Sequence, residues 1–355
     1  MKKLTLKRLR KKQPEAPSRI TNETVAEHRE RILAGGRRFK YPMQYARHKL
    51  VFNAIIIVLV AIVALIGVGW WQLYSAQNTG TFMYRVTRVL PLPVATVDGE
   101  QVPYYDYLLY FNGSAHYLKQ SEQIDLTSQD GKRQLDYIKR KSIDNAIADA
   151  YARKLTRTYN VSVTDKDVDA VIEQGRTTTN GVISKETYDA SALSILGWTP
   201  DENREVIRNK LIRNAVSYEI DDVAKKNVEK VAAQLQTPGA DLDQVAKTVG
   251  GEGAAAVSSG VSGLVPNFNN DGGLSIAAAK LQVGQLSSVI KSTTGDGYYF
   301  VKLLEKTDTK ISYAYIKIPL TVFNSQLAAL KNDNKIKEYI SVPVINDQAA
   351  TAPKE

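Results

Sequence analysis

Few side chains in this 355-residue sequence could act as nucleophiles, general bases or metal ligands. There is no cysteine, which excludes thiol redox chemistry and cysteine-based metal sites. Of the three histidines, only His116 follows the long apolar stretch of the chain. Asp165 and Asp167 lie at the start of a predicted helix, where the helix dipole stabilises negative charge. We therefore predict no metal site and no bound cofactor.

One short motif matches a catalytic pattern. Ser288 and Lys291 have the Ser-x-x-Lys spacing, in which a lysine activates a serine nucleophile in exported acyl enzymes. The Lys-Thr-Gly motif that accompanies it in those enzymes does not occur in the sequence, and so short a match often arises by chance. We therefore do not expect acyl-transfer chemistry.

A long apolar stretch divides the chain in two. Residues 50–73 contain no Asp, Glu, Lys or Arg, and about 20 helical residues are enough to cross a hydrocarbon core about 30 Å thick. Trp70, Trp71 and Tyr74 cluster at one end, where aromatic rings favour the headgroup layer. We predict a transmembrane helix over residues 49–74. No convincing signal-peptidase site follows it, so we expect an uncleaved anchor.

Charge predicts how this helix is oriented. Residues 1–49 hold 15 Lys or Arg and 4 acidic residues, a net charge of +11, whereas the whole chain carries +10. Because short basic segments stay in the cytoplasm, residues 1–48 are predicted to be a cytoplasmic tail, and about 280 residues to be extracytoplasmic. The tail contains a predicted helix that starts at Thr21 or Asn22 and ends at Gly35 and Gly36. No nucleic-acid-binding motif accompanies its charge, so we expect contact with anionic lipid and no nucleic-acid partner.

Residues 75–92 are predicted to be a polar linker, and residues 93–221 a mostly helical domain. Asp98 and Gly99 favour a tight hairpin turn with positive φ between two short strands. A helix is predicted to follow from about Tyr104.

Further helices are indicated by spacing and by their first residues. Residues 129–159 carry apolar side chains at three- and four-residue spacing, which predicts one long helix with an apolar stripe. Thr164 is the predicted N-cap of the next helix. Thr199 is predicted to cap the last one, with Pro200 at its first position and Glu202 closing a capping box.

Three ordered segments resemble a known family. VATVDGEQV (94–102), VSVTDKDVDAVI (161–172) and LGWTPDENREVIRNKLI (196–212) are similar, in order and spacing, to the N-terminal chaperone domain of SurA-like foldases. The resemblance implies a domain that holds unfolded client polypeptides in an apolar groove. It also implies that a C-terminal segment returns to complete this domain, and we assign that role to a predicted helix over residues 323–340. The last residues, 346–355, are expected to be disordered.

Residues 222–319 are predicted to form a second, smaller domain. Helical spacing returns in residues 222–235 and in DLDQVAKTV, and residues 250–273, rich in Gly, Ser and Asn, are predicted to be a loop. The following segment, IAAAKLQVGQLSSVIKSTTGDGYYFVKLLEK (276–306), is similar to the closing signature of parvulin-type (PpiC) peptidyl-prolyl isomerases. The resemblance implies an antiparallel sheet beside a proline-binding pocket.

The departures from the parvulin pattern concern the pocket. The histidine expected after the Gly-Tyr pair is Tyr299, and the phenylalanine of the pocket wall is Ala279. The usual first strand, which carries a second histidine, is missing before residue 222. ISYAYIKIP (311–319) is similar to that strand, with Tyr315 at the histidine position. The candidate pocket implied by the resemblance consists of Tyr299, Tyr315, Ala279 and Phe268.

The position of residues 311–319 after the last parvulin strand suggests a circularly permuted parvulin, because those two strands are antiparallel neighbours in that family. The alternative is an extra edge strand. Isomerisation must lower a barrier of about 18–20 kcal/mol by favouring the twisted amide. With tyrosine at both histidine positions, we expect weak or absent catalysis, although phenols can still donate hydrogen bonds.

These features predict an α+β protein with a single N-terminal transmembrane helix, a mostly helical SurA-N-like domain, and a small parvulin-like α/β domain with a mainly antiparallel sheet. We predict a membrane-anchored extracytoplasmic chaperone. Its expected partners are unfolded or newly translocated polypeptides and the bilayer, with the translocation machinery as a further candidate. Two alternatives stay open, namely an active parvulin-type isomerase and a non-catalytic structural or adhesive surface protein.

Overall fold

The computed structural model describes residues 20–344, except 41, 179–180 and 238. The basic run at residues 2–12 and the predicted disordered end at 346–355 lie outside the described residues. The chain forms two compact units, one that ends at Trp71 and one that begins at Gln72.

The part of the first unit that the structure describes is helical. Its elements are α1 (Asn22–Lys40) and α2 (Pro42–Trp70). A π-helical turn, Trp71–Ser75, comes next in the chain, and all of it except Trp71 belongs to the second unit. Residues 48–75 are apolar and long enough to span a membrane, with a mean hydropathy of 3.1 in the most apolar window, none of which is buried. The prediction that α1 ends at Gly35 and Gly36 is wrong. Gly35 lacks the positive φ of a helix-ending cap, and the helix continues past both glycines to Lys40.

The second unit contains a helical domain (72–221 and 322–344) and a sheet domain (222–321). The helical domain begins with α3 (Thr81–Val89), β1 (Pro93–Val97), β2 (Glu100–Pro103), α4 (Tyr104–Gln120), α5 (Gln129–Tyr159), α6 (Asp165–Arg176), β3 (Thr177–Thr178), β4 (Gly181–Val182), α7 (Lys185–Leu196) and α8 (Pro200–Ile220). The sheet domain follows with α9 (Asp222–Leu235), α10 (Leu242–Val249), β5 (Ser258–Val261), β6 (Val265–Pro266), α11 (Leu274–Ala278), β7 (Ile290–Lys291), β8 (Gly297–Lys306) and β9 (Lys310–Pro319). The chain then returns to the helical domain as α12 (Val322–Asn332) and β10 (Ile336–Glu338).

Local signals in the helical domain are confirmed. Asp98 and Gly99 have φ values of +46° and +82° in the turn that joins β1 and β2. The apolar stripe of residues 129–159 forms the buried face of α5. Thr164 caps α6, and Thr199 caps α8 in a capping box with Glu202. Such caps depend on neighbours three residues apart, which is why sequence alone predicts them.

The prediction that residues 75–92 form a linker is wrong in part, because residues 81–89 form helix α3. Met83 and Tyr84 pack against the helical core. The ring of Tyr84 stacks on Tyr105 at 5.1 Å, and its hydroxyl donates a hydrogen bond to Glu202 at 2.6 Å. The segment looks like a polar linker in sequence because its partners lie on α4 and α8.

The C-terminal segment completes the helical domain. Phe323 of α12 lies in its core, and β10 pairs with β1, so that Ile336 faces Val97 in a three-stranded antiparallel sheet. Arg140 of α5 donates two hydrogen bonds to the Glu338 carboxylate, at 3.0 and 2.6 Å. The prediction of one helix over residues 323–340 is wrong in its second half, because α12 ends at Asn332 and pairing with β1 makes the following residues a strand.

The sheet domain is antiparallel throughout its described pairings. Its strand order is β5-β9-β8-β7, with β6 also paired to β9. Residues 250–273, predicted to be a loop, supply β5 and β6, because hydrogen bonds to β9 order a segment that has little strand propensity of its own. The alternative that residues 311–319 form an edge strand is wrong, since β9 lies between β5 and β8.

The two faces of this sheet pack against different elements. Tyr298, Phe300, Ile316 and Ile318 pack in one cluster with buried residues of α9 and α10. The alternate residues of the same strands form a second cluster with Leu274 and Ala278 of α11. The period-two alternation of β8 and β9 therefore fixes which face each tyrosine of the domain joins.

The Asp221 carboxylate links the two domains at the point where the chain passes between them. It is 1% exposed. One of its oxygens accepts from Ala224 N–H at 2.8 Å and caps α9. The other accepts from the N–H groups of Thr321 and Val322, at 2.7 and 3.1 Å, at the start of α12. One buried side chain therefore satisfies the N-termini of two helices.

We expect Asp221→Ala to lower the free energy of unfolding by about 2–4 kcal/mol, because it removes a cap and leaves two buried N–H groups without an acceptor. The matched control is Asp241→Ala, whose exposed carboxylate caps α10 alone by accepting from Gln244 N–H. We expect that variant to lose about 1 kcal/mol. Urea denaturation of the full chain in detergent measures both values. Hydrogen exchange should show faster amide exchange in α12 only for Asp221→Ala, and equal losses in the two variants would contradict this role.

Candidate functional site

A cleft of about 780 Å³ lies between the helical domain and the sheet domain. One wall comes from α6, α7 and α8, and the other from residues 267–270, α11 with the two residues after it, and the turn between β7 and β8. Both walls belong to the second compact unit. The cleft is the larger of the two cavities described here.

One face of α8 contacts the sheet domain and forms the junction between the two domains. Ile207, Leu211, Asn214 and Tyr218 are spaced three or four residues apart and therefore share that face. Tyr218 donates from its hydroxyl to the carbonyls of Ser292 and Gly297, at 2.9 and 2.6 Å. Asn214 donates to the Thr293 carbonyl at 3.0 Å, close to the backbone of Gly295, where a Cβ would lie 2.0 Å from Asn214 Oδ1. The C-terminal half of the face is bound to the sheet domain, whereas Ile207 and Leu211 line the open cleft.

The apolar lining of the cleft is not used by the cores of the described residues. None of the six larger apolar side chains in the lining belongs to the three buried clusters; these are Val171, Tyr188, Ile207, Leu211, Phe268 and Ile276. Among the described lining residues the charged side chains are Lys210 and Lys280, both exposed, and none is a carboxylate. The cleft therefore combines an apolar surface with positive charge.

The structure brings part of the candidate pocket together. The rings of Tyr299 and Tyr315 lie 5.9 Å apart on adjacent strands, and Ala279 packs against the same cluster. Ala279 and Phe268 line the cleft, but neither tyrosine is among the lining residues. Tyr299 and Tyr315 thus belong to the buried cluster and Phe268 to the cleft lining, whereas Ala279 belongs to both. Their roles as a proline pocket stay a prediction.

The hydroxyl of Tyr299 is already engaged. Tyr299 is 6% exposed and donates to Asp296 Oδ2 at 2.6 Å, and Lys317 Nζ lies 2.6 Å from the same oxygen. Burial, followed by the hydrogen bond to Asp296, raises the pKa of the Tyr299 phenol above its ordinary value. Burial alone would raise the pKa of the Asp296 carboxyl. Hydrogen bonds from Lys317 and from neighbouring hydroxyl groups outweigh that effect and hold this pKa well below its ordinary value.

Tyr315 depends on a glycine across the sheet. It faces Gly260 of β5 in the strand register, and a Cβ on Gly260 would lie 2.7 Å from the Tyr315 hydroxyl oxygen. The absence of a side chain at Gly260 therefore leaves room for the phenol to extend across β5. The Gly-Ser-rich segment that resembled a loop is in this way a strand that accommodates the tyrosine side chain.

The other residues considered from sequence do not form a catalytic group. Ser288 is exposed, and the ammonium of Lys291 lies 5.5 Å from the centre of the Tyr218 ring. His116 hydrogen-bonds through Nε2 to the Ser194 carbonyl at 3.0 Å. It lines a second cavity of about 540 Å³, together with Arg85, Arg88, Trp198 and other residues at the ends of α3 and α7.

The helical domain matches a known protein family. Residues 43–217, about half of the chain, match the family described as the SurA-like N-terminal domain. The chain carries a SurA-like N-terminal domain. The match begins earlier than the resemblance at residues 93–221, because it also covers most of α2 and all of α3. No curated protein matches the chain.

The SurA-like domain contributes cleft residues that sequence reasoning missed. Tyr188, Ile207 and Lys210 read as ordinary positions of amphipathic helices. A signal was present on α8, where two apolar residues continue the face that carries Asn214 and Tyr218. Spacing shows that these residues share a face, but it does not show which domain covers that face.

We expect Asp296→Asn to lower stability at pH 7 by about 1 kcal/mol, since the carboxylate is about one-third exposed and its ion pair with Lys317 is partly screened. Because folding lowers the Asp296 pKa, the charged form stabilises the native state above the ordinary value near 4. This contribution is lost as the pH falls below that value. The difference between wild type and variant should thus be constant above about pH 5 and shrink on acidification.

Thermal denaturation of the full chain in detergent across pH 3 to 7 tests this linkage. Asp308→Asn is the control, because Asp308 is exposed in the turn between β8 and β9. A wild-type to Asp296→Asn difference that does not change with pH would contradict the assignment.

Proposed function

We propose that this protein is a membrane-anchored extracytoplasmic chaperone that holds apolar stretches of unfolded exported proteins in the cleft between its two domains. The observation that carries the proposal is the cleft itself, whose apolar lining is not used by either domain's core. SurA-like domains in general bind unfolded polypeptides, and one wall of the cleft belongs to such a domain.

Binding is driven by burial of client side chains. Each large apolar side chain that leaves water contributes about 1.5–3 kcal/mol. A cleft of about 780 Å³ has the size of a small-ligand site, so it holds a short stretch of client and not a folded domain. Two or three such side chains barely exceed the cost of association, which makes binding weak and reversible. A client that folds buries the same side chains and is released.

The two lysines of the cleft lining favour clients of one charge over others. Lys210 and Lys280 lie on opposite walls, one on α8 and one just after α11, and no carboxylate of the lining offsets them. Client stretches that place acidic residues beside apolar ones are therefore favoured. Because both ammonium groups are exposed, this contribution weakens as salt concentration rises.

The apolar helix supports the proposed membrane anchor. Residues 48–75 are long and apolar enough to span a bilayer. The excess of Lys and Arg before residue 50 supports a cytoplasmic N-terminus and a cleft on the extracytoplasmic side. A chaperone in this position meets polypeptides as they leave the translocation machinery, before they fold.

The double variant Lys210→Glu, Lys280→Glu should weaken suppression of aggregation of an acidic unfolded client by about tenfold at low salt, and by less at high salt. The matched control is Lys226→Glu, Lys230→Glu. It makes the same charge change on exposed residues of α9 that do not line the cleft. The measurement is light scattering of a chemically unfolded client in the presence of the full chain in detergent. Equal effects of the two double variants would contradict a role for the cleft.

Phe268→Ser tests the apolar part of the cleft. Phe268 belongs to none of the described cores, so the variant should keep its thermal stability within about 0.5 kcal/mol and still lose most aggregation suppression. Wild-type protein that suppresses aggregation of no unfolded client would instead favour the structural or adhesive alternative.

We further propose that the sheet domain is a permuted, degenerate parvulin-like domain. In that family the first strand, which carries the second histidine, is an antiparallel neighbour of the last strand, and here β9 pairs with β8 along nearly its whole length. This pairing sets Tyr315 beside Tyr299, and it is the observation that favours the second candidate function, prolyl isomerisation. Against catalysis, the Tyr299 hydroxyl is buried and bound to Asp296, and neither tyrosine lines the cleft.

A protease-coupled assay of a proline peptide should show no acceleration by the full chain over the uncatalysed isomerisation, which takes tens to hundreds of seconds. The expected null result follows because neither Tyr299 nor Tyr315 lines the cleft. The controls are Tyr299→Phe and Tyr315→Phe. Acceleration by the wild type that either variant abolishes would make the protein an isomerase.

A further inference from the structure

Helix α3 carries an apolar and basic face toward solvent. Met83, Tyr84 and Thr87 face the helical domain. On the opposite side, Phe82 and Val89 are 73% and 80% exposed, and Arg85 lies exposed between them. Leu90, directly after the helix, is 51% exposed. Large apolar side chains at this exposure on a single short helix indicate a surface that is covered by something other than water.

The chain just before α3 is held rigidly. Leu73 is 1% exposed within the helical core, and its carbonyl accepts from the Tyr104 hydroxyl at 2.7 Å. Asn78 N–H donates to the Gln72 carbonyl at 2.8 Å, and its side chain bonds to Gln72 Oε1 at 2.9 Å. The Asn78 side chain also accepts from Gly80 N–H at 2.8 Å. Residues 72–80 are therefore a fixed turn and not a flexible linker.

This turn places the start of α3 close to Gln72, the residue that follows Trp71 in the chain. Gly80 is two residues beyond Asn78, so it lies within about 10 Å of the Gln72 carbonyl. Residues 50–71 already span about 33 Å as a helix, which is enough for the hydrocarbon core. The headgroup layer on each side of that core is about 5–8 Å thick. With Gln72 at the edge of the hydrocarbon, the start of α3 lies within reach of the lipid headgroups.

We propose that α3 lies on the membrane surface, with Phe82 and Val89 inserted among the lipids and Arg85 on anionic phospholipid headgroups. The inference rests on the proposed membrane anchor. An interfacial helix of this kind combines an apolar face with basic residues, and Arg85 has no described carboxylate partner among the residues that the structure covers. The surface holds the helical domain against the bilayer in one orientation, so that the cleft opens at a fixed height above the membrane.

Single-cysteine spin labels test the proposal, because the natural chain has no cysteine. The full chain is reconstituted in nanodiscs of neutral and anionic phospholipid, with labels at Phe82→Cys, Val89→Cys, Val60→Cys or Val261→Cys. Val60 lies inside the apolar helix, and Val261 is 61% exposed on β5. Relaxation by lipid-soluble oxygen is compared with relaxation by a polar nickel chelate. We expect a several-fold higher oxygen-to-nickel ratio at positions 82 and 89 than at 261.

The outcomes separate the surface from the anchor. A label at position 60 in hydrocarbon, with 82 and 89 as water-accessible as 261, would overturn the membrane surface and leave the anchor standing. A label at position 60 in water would overturn both. Arg85→Glu, added to Val89→Cys, should shift the label toward water in anionic nanodiscs and leave it unchanged in purely neutral ones. The same shift in both lipids would overturn the assigned role of Arg85.

Discussion

The buried carboxylate of Asp221 is the interaction on which the arrangement of the two domains depends. The chain leaves the helical domain at α8 and re-enters it at α12, and Asp221 accepts hydrogen bonds from the first residues of both α9 and α12. A buried carboxylate without donors would be costly, and exposed helix N-termini would lack acceptors, so each group supplies what the other needs. Exit and return are thereby fixed at one point, and the sheet domain is inserted between them.

Helix α8 transmits this constraint to the cleft. The helix begins with a capping box formed by Thr199 and Glu202, and Glu202 also contacts α3. Its other end is followed by Asp221. Along one face, Tyr218 and Asn214 grip the turn between β7 and β8, whereas the preceding turns of the same face stay open. The cleft exists because the two domains are joined at one end of a helix and diverge toward the other.

The sheet domain is organised as a support for that cleft. Its strands place tyrosines in both faces. The phenols of Tyr299 on β8 and of Tyr218 on the adjoining helix α8 are used for hydrogen bonds within the protein. Such groups stiffen the sheet and its turns, but they are not free to act on a substrate. In the proposed chaperone, affinity comes from apolar surface and two lysines, which suits a partner that differs from one client to the next.

Sequence by itself determined the features that depend on neighbours along the chain. The span of the apolar helix, the Asp98–Gly99 turn, the caps at Thr164 and Thr199, and the buried stripe of α5 all follow from spacings of one to four residues. The ordered motifs also indicated a SurA-like domain, which the family comparison shows over residues 43–217. Only the tertiary structure decided the features that depend on contacts between residues far apart in the sequence. Helix α3 replaces a linker because Tyr84 meets Glu202, β10 replaces a helix because it pairs with β1, and Gly260 becomes a strand residue beneath Tyr315. The cleft belongs to this second group, because each wall is an ordinary amphipathic surface until the other domain is placed opposite it.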